Sequence, residues 1–485
     1  MIHDWKMELY WRLPVVLQEV ALSVYGWRLN RLYYGGEFPA ALQAVRRRVW
    51  RSREEIESWQ MEQLRRILVS AVQYVPHYRE RYRGVDIPNL RSRDDLSVLP
   101  LLDRQELRQH EESFLDERLD PRRLFKDKTS GSTGTSVTIF WPPRCLQWLQ
   151  AVLEVRVRYV AGVSQSMPRA VLGGRPIVRG MRSRPPFWRR NWYWKQLYLS
   201  SYHVSASTAR GYVAAIRRSK ATWLTGYGSA IAALADSAML AGVSPLKMKA
   251  VVVSGDTLQP GMRWSIERFF DCKCYDMYGQ VEAVALGMEC RAGRMHLMPD
   301  AGIVEIMDRD GSPCAPGTTG EVVATGLLND GMPLIRYRTG DSAALAREQD
   351  CSCGSSHPII ESLEGRVDDY LVTRDGRQIG RLSTAMKRSP TIHSAQIVQD
   401  KPGHAYLLIR PGDGYLPRDS KPVVDDVIER IGAFDLDVRE VAEIPKTPTG
   451  KTRLVVRLSE RPDLWAAYSP VIERATPVTE VGEVR

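Results

Sequence analysis

Five short polar segments between Thr129 and Lys451 hold the residue types that handle a nucleotide. The first, Thr129-Ser130-Gly131-Ser132-Thr133-Gly134-Thr135, mixes glycines with hydroxyls. Glycine lets a backbone approach phosphate oxygens closely, and hydroxyl and amide groups donate hydrogen bonds to them. The Gly-Lys-Ser/Thr ending of a Walker A loop is missing, so a P-loop is excluded. The second, Asp276-Met277-Tyr278-Gly279-Gln280-Val281-Glu282, follows a predicted strand; a tyrosine beside a glycine could stack on a base, and a carboxylate at a sheet tip could hold a hard cation. In the third, Tyr337-Arg338-Thr339-Gly340-Asp341, the acid could accept from ribose hydroxyls. The fourth, Gly365-Arg366-Val367-Asp368-Asp369, stands where the composition changes, and the fifth, Pro448-Thr449-Gly450-Lys451, carries a lysine on a glycine loop. Taken singly, each also reads as a turn, a capping acid or a solvated lysine.

A second constellation is soft. Cys290 and His296 are spaced C-x5-H, and Cys351 and Cys353 form C-x-C before Gly354. Three thiolates and an imidazole are donors suited to a closed, tetrahedral structural zinc site, with His357 as an alternative fourth ligand. Buried free thiols are the other reading. Cys272 and Cys274 point to one face of a predicted strand and read as core, while Cys145 and Cys314 have no evident partner. Between Arg182 and Lys195, five basic residues (Arg182, Arg184, Arg189, Arg190, Lys195) interleave with Phe187, Trp188, Trp192, Tyr193 and Trp194. Such a stretch is either a solvated basic loop with anchored aromatics or a surface that stacks on sugar rings and binds the phosphates of CoA or a lipid-linked glycan.

The elements that must position these groups can be read more coarsely. A chain of 485 residues, 44% hydrophobic and 26% charged, suits two or three globular domains and excludes a disordered, collagen-like or small disulfide-stapled protein. Seven cysteines, an odd number at low density, point to a reducing compartment, so a cytoplasmic location is expected. The net charge of +11 is localised: residues 155–235 hold fourteen Lys or Arg and no Asp or Glu. Taking those fourteen from 68 leaves 54 basic against 57 acidic groups, a balance of −3 elsewhere. One segment therefore asks for an anionic partner: a phosphate-bearing ligand, an acidic glycan or a membrane surface. No zinc-finger, basic-zipper or RNA-recognition signature accompanies it, so nucleic acid is not expected.

The N-terminus is too charged for a signal peptide or a membrane span, but Leu9, Leu13, Val16, Leu17 and Val20 share a helical face near Trp5, Trp11 and Trp27. That face is expected to pack on the domain; the alternative is a helix resting in a membrane interface, which makes the protein peripheral at the membrane. Residues 50–120 read as helical, with a turn and helix cap at Pro100–Asp103, and apolar residues on either side of the 129–135 loop predict strand, turn and second strand. From residue 227 helix and strand alternate: Ile231–Met239 then Gly242, Val251–Val253, a helix opened by Pro260, and Cys272–Tyr275. Strands are also predicted at Gly320–Thr325 and Leu334–Arg338. Beyond Arg366 short strands (370–373, 395–398, 406–409) and one helix at 423–431 give an α+β texture, with a tail from about 466 expected to be disordered. The fold class is α/β: a large N-terminal domain of layered sheets and helices over 1–366, a hinge at 367–369, and a small mobile α+β lid domain over 370–485.

Together, and in this order, the five segments resemble the adenylate-forming superfamily of acyl-CoA synthetases, adenylation domains and luciferases. Tyr25-Gly26-Trp27-Arg28, Leu197-Tyr198-Leu199-Ser200-Ser201-Tyr202 and Val372 to Gly380 add a specific likeness to phenylacetate-CoA ligase and the related CapK proteins, extending from about Leu13 to Leu458. The resemblance implies that residues 130–135 cradle the β- and γ-phosphates of ATP. It implies that Ser254, Gly255, Asp256 and Tyr278, beside Gly279, sandwich adenine while Asp276 accepts from its amino group. Glu282 would hold magnesium, Asp341 the ribose hydroxyls, and Arg366 the ribose or phosphate. Asp368 would be the hinge and Lys451 would reach the carboxylate and α-phosphate. Relatives of phenylacetate-CoA ligase carry similar Cys and His positions, some with zinc.

Three departures stand out. Thr135 occupies the place where many members carry a lysine, Val281 replaces the hydroxyl residue before the acid, and the region after Asp369 takes the CapK-like form, which leaves the thioesterification contacts unassigned. The expected function is ATP-dependent adenylation of a small-molecule carboxylate and transfer of the acyl group, first to the thiol of CoA. The alternatives are an amine acceptor, giving an amide in surface-glycan or natural-product assembly, and a catalytically silent glycan-binding or membrane-docked assembly factor.

Overall fold

A run such as Val251-Val252-Val253 is stable only when both its faces are covered, which asks for helices on either side of a parallel sheet. That arrangement is present in the computed structural model of the protein, which describes residues 5–90, 92–128, 137–173, 175, 177–178, 184–255, 258, 260–308, 310–364, 370–379, 382, 385, 389, 391–411, 414–432, 434–442, 444–445, 455–459 and 464–478. The chain opens with helices α1 (Trp5–Arg12), α2 (Val15–Tyr34), α3 (Phe38–Arg48), α4 (Arg53–Tyr74), α5 (Pro76–Arg81) and α6 (Arg104–Gln109). Strands β1 (Phe125–Lys128) and β2 (Thr138–Trp141) then pair antiparallel across the predicted polar loop, and α7 (Pro143–Ala161) follows.

The α/β core comprises β3 (Arg169–Gly173), β4 (Trp188–Asn191), β5 (Gln196–Ser200), α8 (Ala206–Ser219), β6 (Trp223–Gly226), α9 (Gly228–Leu240), β7 (Ala250–Ser254), α10 (Pro260–Phe270) and β8 (Cys274–Tyr278). Next come β9 (Gly287–Glu289), β10 (Met295–Leu297), β11 (Gly302–Met307), β12 (Gly320–Gly326), β13 (Tyr337–Leu345) and β14 (Ile359–Glu364). These join one twelve-stranded sheet in the order β11-β12-β13-β14-β10-β9-β8-β7-β6-β3-β5-β4. Strands β5, β3, β6, β7 and β8 run parallel, β4 closes one edge antiparallel, and every pairing beyond β8 is antiparallel. Helix α9 buries Ile231, Leu234, Ala235 and Ala238 against this sheet, and Gly242 beyond it has the left-handed φ of 65° that stops such a helix.

Gly226 ends β6 at φ 149°, where a Cβ would lie 1.8 Å from the Leu172 carbonyl oxygen. Backbone can approach backbone this closely only without a side chain. Gly226→Ala is therefore expected to destabilise the fold by about 3 kcal/mol or more, visible as a lower urea midpoint, whereas Gly242→Ala, with open space around it, should cost only the backbone strain of about 1 kcal/mol.

The C-terminal part has its own sheets. A two-stranded ribbon, β15 (Leu371–Val372) and β16 (Gln378–Ile379), precedes β17 (Ile392–Lys401), β18 (His404–Pro411), α11 (Lys421–Ile431), β19 (Asp435–Glu440), β20 (Val455–Arg457), α12 (Trp465–Arg474) and β21 (Thr476–Pro477). The last five strands form a sheet in the order β20-β17-β18-β19-β21. Val423, Val424, Val427 and Ile431 of α11 join its core, and so does Tyr202 from the large part, 4% exposed. The Tyr202 carbonyl accepts from Arg377 Nη1 at 3.2 Å and its hydroxyl from Arg430 Nη1 at 3.2 Å.

Several expectations are corrected. The tail expected to be disordered from about 466 is α12 and β21 as far as Pro477, because Tyr468 and Ile472 reach a hydrophobic cluster under Val398 and Leu408. The strand placed at Leu334–Arg338 begins only at Tyr337; Arg336 takes φ 48°, which no strand tolerates, and pairs with Glu305. The strand placed at Cys272–Tyr275 begins at Cys274 and runs to Tyr278. Asp103 stands at the N-cap of α6, but its carboxylate pairs with Arg338 at 3.5 Å in place of capping. Most telling, the N-terminal face of Leu9, Val16, Leu17 and Val20 points outward, and α2 packs through Gln18, Leu22, Gly26 and Leu29.

Candidate active site

Parallel strands deliver the loops at their carboxyl ends to one rim of a sheet, the usual place for a ligand in open α/β folds. Here β6 delivers Tyr227, β7 delivers Ser254 and Gly255, and β8 delivers Asp276 to Gly279 followed by Gln280, Val281 and Glu282. Asp341 and Thr339 of β13 and Arg104 of α6 complete a cleft of about 650 Å³. A smaller pocket of about 240 Å³ adjoins it through Tyr227 and Ser254, and is lined by Val171, Gly173, Leu199 and Tyr198 with Arg175 among them. Gly255 has φ 89°, and a Cβ there would fall 2.8 Å from the Tyr227 ring, so glycine lets the two loops meet.

Inside the cleft the acids are held by named donors. The Tyr278 hydroxyl donates to Asp341 Oδ2 at 2.8 Å, both groups buried, and burial with the nearby Asp341 charge raises the tyrosine pKa well above its ordinary value. The Asp341 amide donates to Thr339 Oγ1 at 3.1 Å. Glu282 Oε1 accepts from the Tyr337 hydroxyl at 3.0 Å and lies 3.8 Å from Arg104 Nη1, with its side chain 4% exposed. A buried, oriented carboxylate oxygen is a donor that fits a hard divalent cation. The Asp276 amide donates to Glu289 Oε2, which Arg263 also holds at 2.8 Å. Gln280 buries both amide atoms in the cleft wall with no partner among the described residues, a cost of about 1–3 kcal/mol that a polar ligand group could relieve.

The structure thus brings together Ser254, Gly255, Asp276, Tyr278, Gly279, Glu282 and Asp341. The loop residues Ser130, Gly131, Ser132, Thr133, Gly134 and Thr135 lie outside the described residues, as do Asp256, Arg366, Asp368 and Lys451. Sequence reasoning passed over Tyr227, Arg104, Glu289 and the hydroxyl of Tyr337. Tyr337 stood inside a quoted motif, but nothing in spacing links it to Glu282; Arg104 was one arginine among many. Val281 lines the cleft as expected from its position and offers no hydrogen-bonding group.

The soft constellation also converges. The ligand atoms of Cys290, His296, Cys351 and Cys353 all lie within 4.8 Å of one another, with 3.7 Å between the sulfurs of Cys290 and Cys351 and 3.5 Å from Cys353 Sγ to His296 Nε2. His296 Nδ1 is 3.0 Å from the His357 carbonyl oxygen, a contact that puts the ring proton on Nδ1 and leaves the Nε2 lone pair facing the sulfurs. Burial pushes this imidazole down to about 4, so it is neutral at pH 7, the form that ligates. His357 supplies its backbone carbonyl to this cluster, and its ring is not among the four converging ligand groups. Arg156 of α7, 2% exposed, stands beside the three thiols, whose charge favours its protonated form against the burial that disfavours it. Cys274 is core, as expected, whereas Cys272 precedes β8 and is only half-buried against that core; burial raises its pKa to about 12.

Residues 371–458 match the CapK C-terminal domain family. The chain is 24% identical over 462 residues to Protein CapK of Staphylococcus aureus, covering 92% of this chain and 98% of that one. It is 27% identical over 343 residues to a phenylacetate-coenzyme A ligase of Thermus thermophilus, covering 66% and 73%. Among solved structures it is similar to 2-hydroxyisobutyryl-CoA ligase in complex with an acyl-AMP in the postadenylation state, with TM-score 0.55, 18% identity, and 88% and 94% of the two chains covered. The fold, the cleft at the strand ends and these relatives define an adenylate-forming ligase. Within that class the chain is similar over nearly its whole length to Protein CapK, and its C-terminal part matches the CapK C-terminal domain family.

Proposed function

We propose that the cleft joins a small carboxylic acid to the AMP part of ATP, releasing pyrophosphate, and that the acyl group then passes to the thiol of CoA. The observation that supports this most is the convergence of Tyr278, Asp341 and Glu282, from separate stretches of the chain, on one cleft with the Ser254–Gly255 turn. In this reading adenine lies between Tyr278 and that turn, Asp276 accepts from its amino group, and Asp341 holds the ribose. The apolar part of the acid enters the smaller pocket behind Tyr227, with Arg175 toward its carboxylate.

Attack of a carboxylate on the α-phosphorus concentrates negative charge, and counter-charges fixed in advance lower the barrier. Glu282 would hold magnesium, which neutralises phosphate charge when bound. Arg104, close to Glu282, adds a fixed positive charge on the same side, and Tyr337 fixes the rotamer of the carboxylate. Lys451 would supply a further cation from its glycine loop, Arg366 would assist at the ribose or phosphate, and residues 130–135 would wrap the leaving pyrophosphate. Domain boundaries at 366 and 370, with Asp368 as the hinge, fit a lid that withdraws the lysine after the first step. Cys290, His296, Cys351 and Cys353 would hold a structural zinc ion, whose three thiolates leave the centre at −1 and Arg156 beside it as the compensating cation.

Pyrophosphate release measured with a panel of carboxylic acids tests the proposal, and none with any acid would overturn it. Addition of CoA or of amines to an active preparation then assigns the acceptor. Lys451→Ala is expected to lower acid-dependent pyrophosphate release about 100-fold with the circular dichroism spectrum unchanged; undiminished release would remove the lysine from the mechanism.

A further inference from the structure

A helix that packs one flank on a domain ordinarily presents polar side chains on the other, because the second flank meets water. Helix α2 does not. Its inner flank, Gln18, Leu22, Gly26 and Leu29, docks on β4: the Leu22 carbonyl accepts from Asn191 Nδ2 at 3.0 Å, and a Cβ at Gly26 would meet the same amide nitrogen at 2.4 Å. Its outer flank carries Val16 (63% exposed), Leu17 (49%), Val20 (41%), Val24 (59%) and Trp27 (47%).

The apolar surface does not end with the helix. Leu9 of α1 is 53% exposed at one end. Along one side lies the turn after β4, tied down where the Trp192 amide donates to Ser23 Oγ at 3.0 Å, and it presents Trp192 at 48% and Tyr193 at 46% exposure. The exposed charges around this surface are basic, while Glu8 beside Leu9 and Glu19 within α2 are half-buried. Arg12, Arg28, Arg31 and Lys195 are exposed, and Arg31 lies 4.8 Å over the Trp27 ring. The one acid within α2, Glu19, is turned aside and accepts from the Arg190 amide at 2.9 Å. No helix among the described residues is long and apolar enough to cross a membrane.

We propose that this face, made of α2 and the Trp192–Tyr193 turn, lies on the surface of an anionic lipid bilayer. Aliphatic side chains flanked by Trp, Tyr and Arg, without exposed acids, match the layered chemistry of a membrane interface, where apolar groups meet acyl chains, aromatic rings sit at headgroup depth and guanidinium groups meet phosphate. A second copy of the chain is a poorer occupant, since a two-fold contact would set Arg12, Arg28 and Arg31 against their own copies. The surface is separate from the adenylation cleft, and none of its residues lines it.

Co-sedimentation of the full-length protein with phosphatidylcholine vesicles, and with vesicles containing phosphatidylglycerol, tests this. Binding is expected to be at least about tenfold tighter with the anionic lipid and to weaken as salt rises. The triple variant Val16→Ser, Val20→Ser, Val24→Ser should lose at least about tenfold in vesicle binding, and Trp192→Ala with Tyr193→Ala should weaken it independently. Both variants should keep the wild-type circular dichroism spectrum and pyrophosphate release. No sedimentation with either vesicle, or binding unaffected by both variants, would overturn the proposal. So would a wild-type dimer in light scattering that the triple variant converts to monomer without any lipid binding.

Discussion

Glu282→Gln is expected to lower acid-dependent pyrophosphate release about 10²–10³-fold while the unfolding midpoint stays within a few degrees of wild type. The substitution keeps the shape of the side chain and an oxygen that can accept from the Tyr337 hydroxyl, so the hydrogen bond at 3.0 Å survives. What disappears is the negative charge, and with it the ligand for a hard cation and the partner of Arg104 at 3.8 Å. The loss should appear chiefly in the magnesium dependence, with more magnesium needed for half-maximal rate. Tyr337→Phe makes a useful comparison: it leaves the charge and frees the rotamer, so a smaller loss of about tenfold is expected. Equal activity of Glu282→Gln and wild type at every magnesium concentration would exclude the carboxylate from metal binding.

The second large effect concerns stability. Protein purified without chelator should contain about one zinc per chain, and Cys290→Ser or Cys351→Ser should bring this close to zero. Either change leaves three ligands and a hydroxyl of poor affinity, and the freed thiols remain in a buried site beside Arg156. Structural zinc contributes strongly to folding where it is bound, so a fall of about 10 °C or more in the unfolding midpoint is expected. Wild-type protein treated with a strong chelator should show the same fall, and Cys314→Ser, outside the cluster, should show neither effect. Absence of stoichiometric metal in the wild type by elemental analysis would refute the zinc assignment.

How far these sites could be read in advance differs by residue. Ser254-Gly255 and Asp276 to Gly279 were legible because each follows a short apolar strand, and chain continuity then places them at strand ends. The Cys290–His296–Cys351–Cys353 quartet was legible from ligand chemistry, since few other tasks gather three cysteines and a histidine. The Glu282–Tyr337–Arg104 group was not, because α6 and β13 reach Glu282 only through the order of a twelve-stranded sheet that local spacing does not encode. Periodicity correctly made Val16, Leu17 and Val20 helical, yet it could not say which flank of that helix faces inward. Gly26 held that information: a glycine in mid-helix marks the flank where a neighbouring group comes close, here the Asn191 side chain. The terminal helix α12 was missed because mixed charge and few large apolar groups suggested a loose tail, whereas Tyr468, which accepts a hydrogen bond from Gln396 at 3.2 Å, and Ile472 find places in the core.

Tyr202 belongs by sequence to the large part and by packing to the small one. If the two parts change their relative orientation during turnover, that ring must leave its apolar socket and two arginine contacts must open. Re-exposing an aromatic side chain costs about 1.5–3 kcal/mol, enough to keep one orientation dominant by roughly ten- to a hundredfold. In that case the residue would be a detent, setting the resting pose and metering how often the pose is abandoned, so that Tyr202→Ala would trade stability of the junction for freer swivelling.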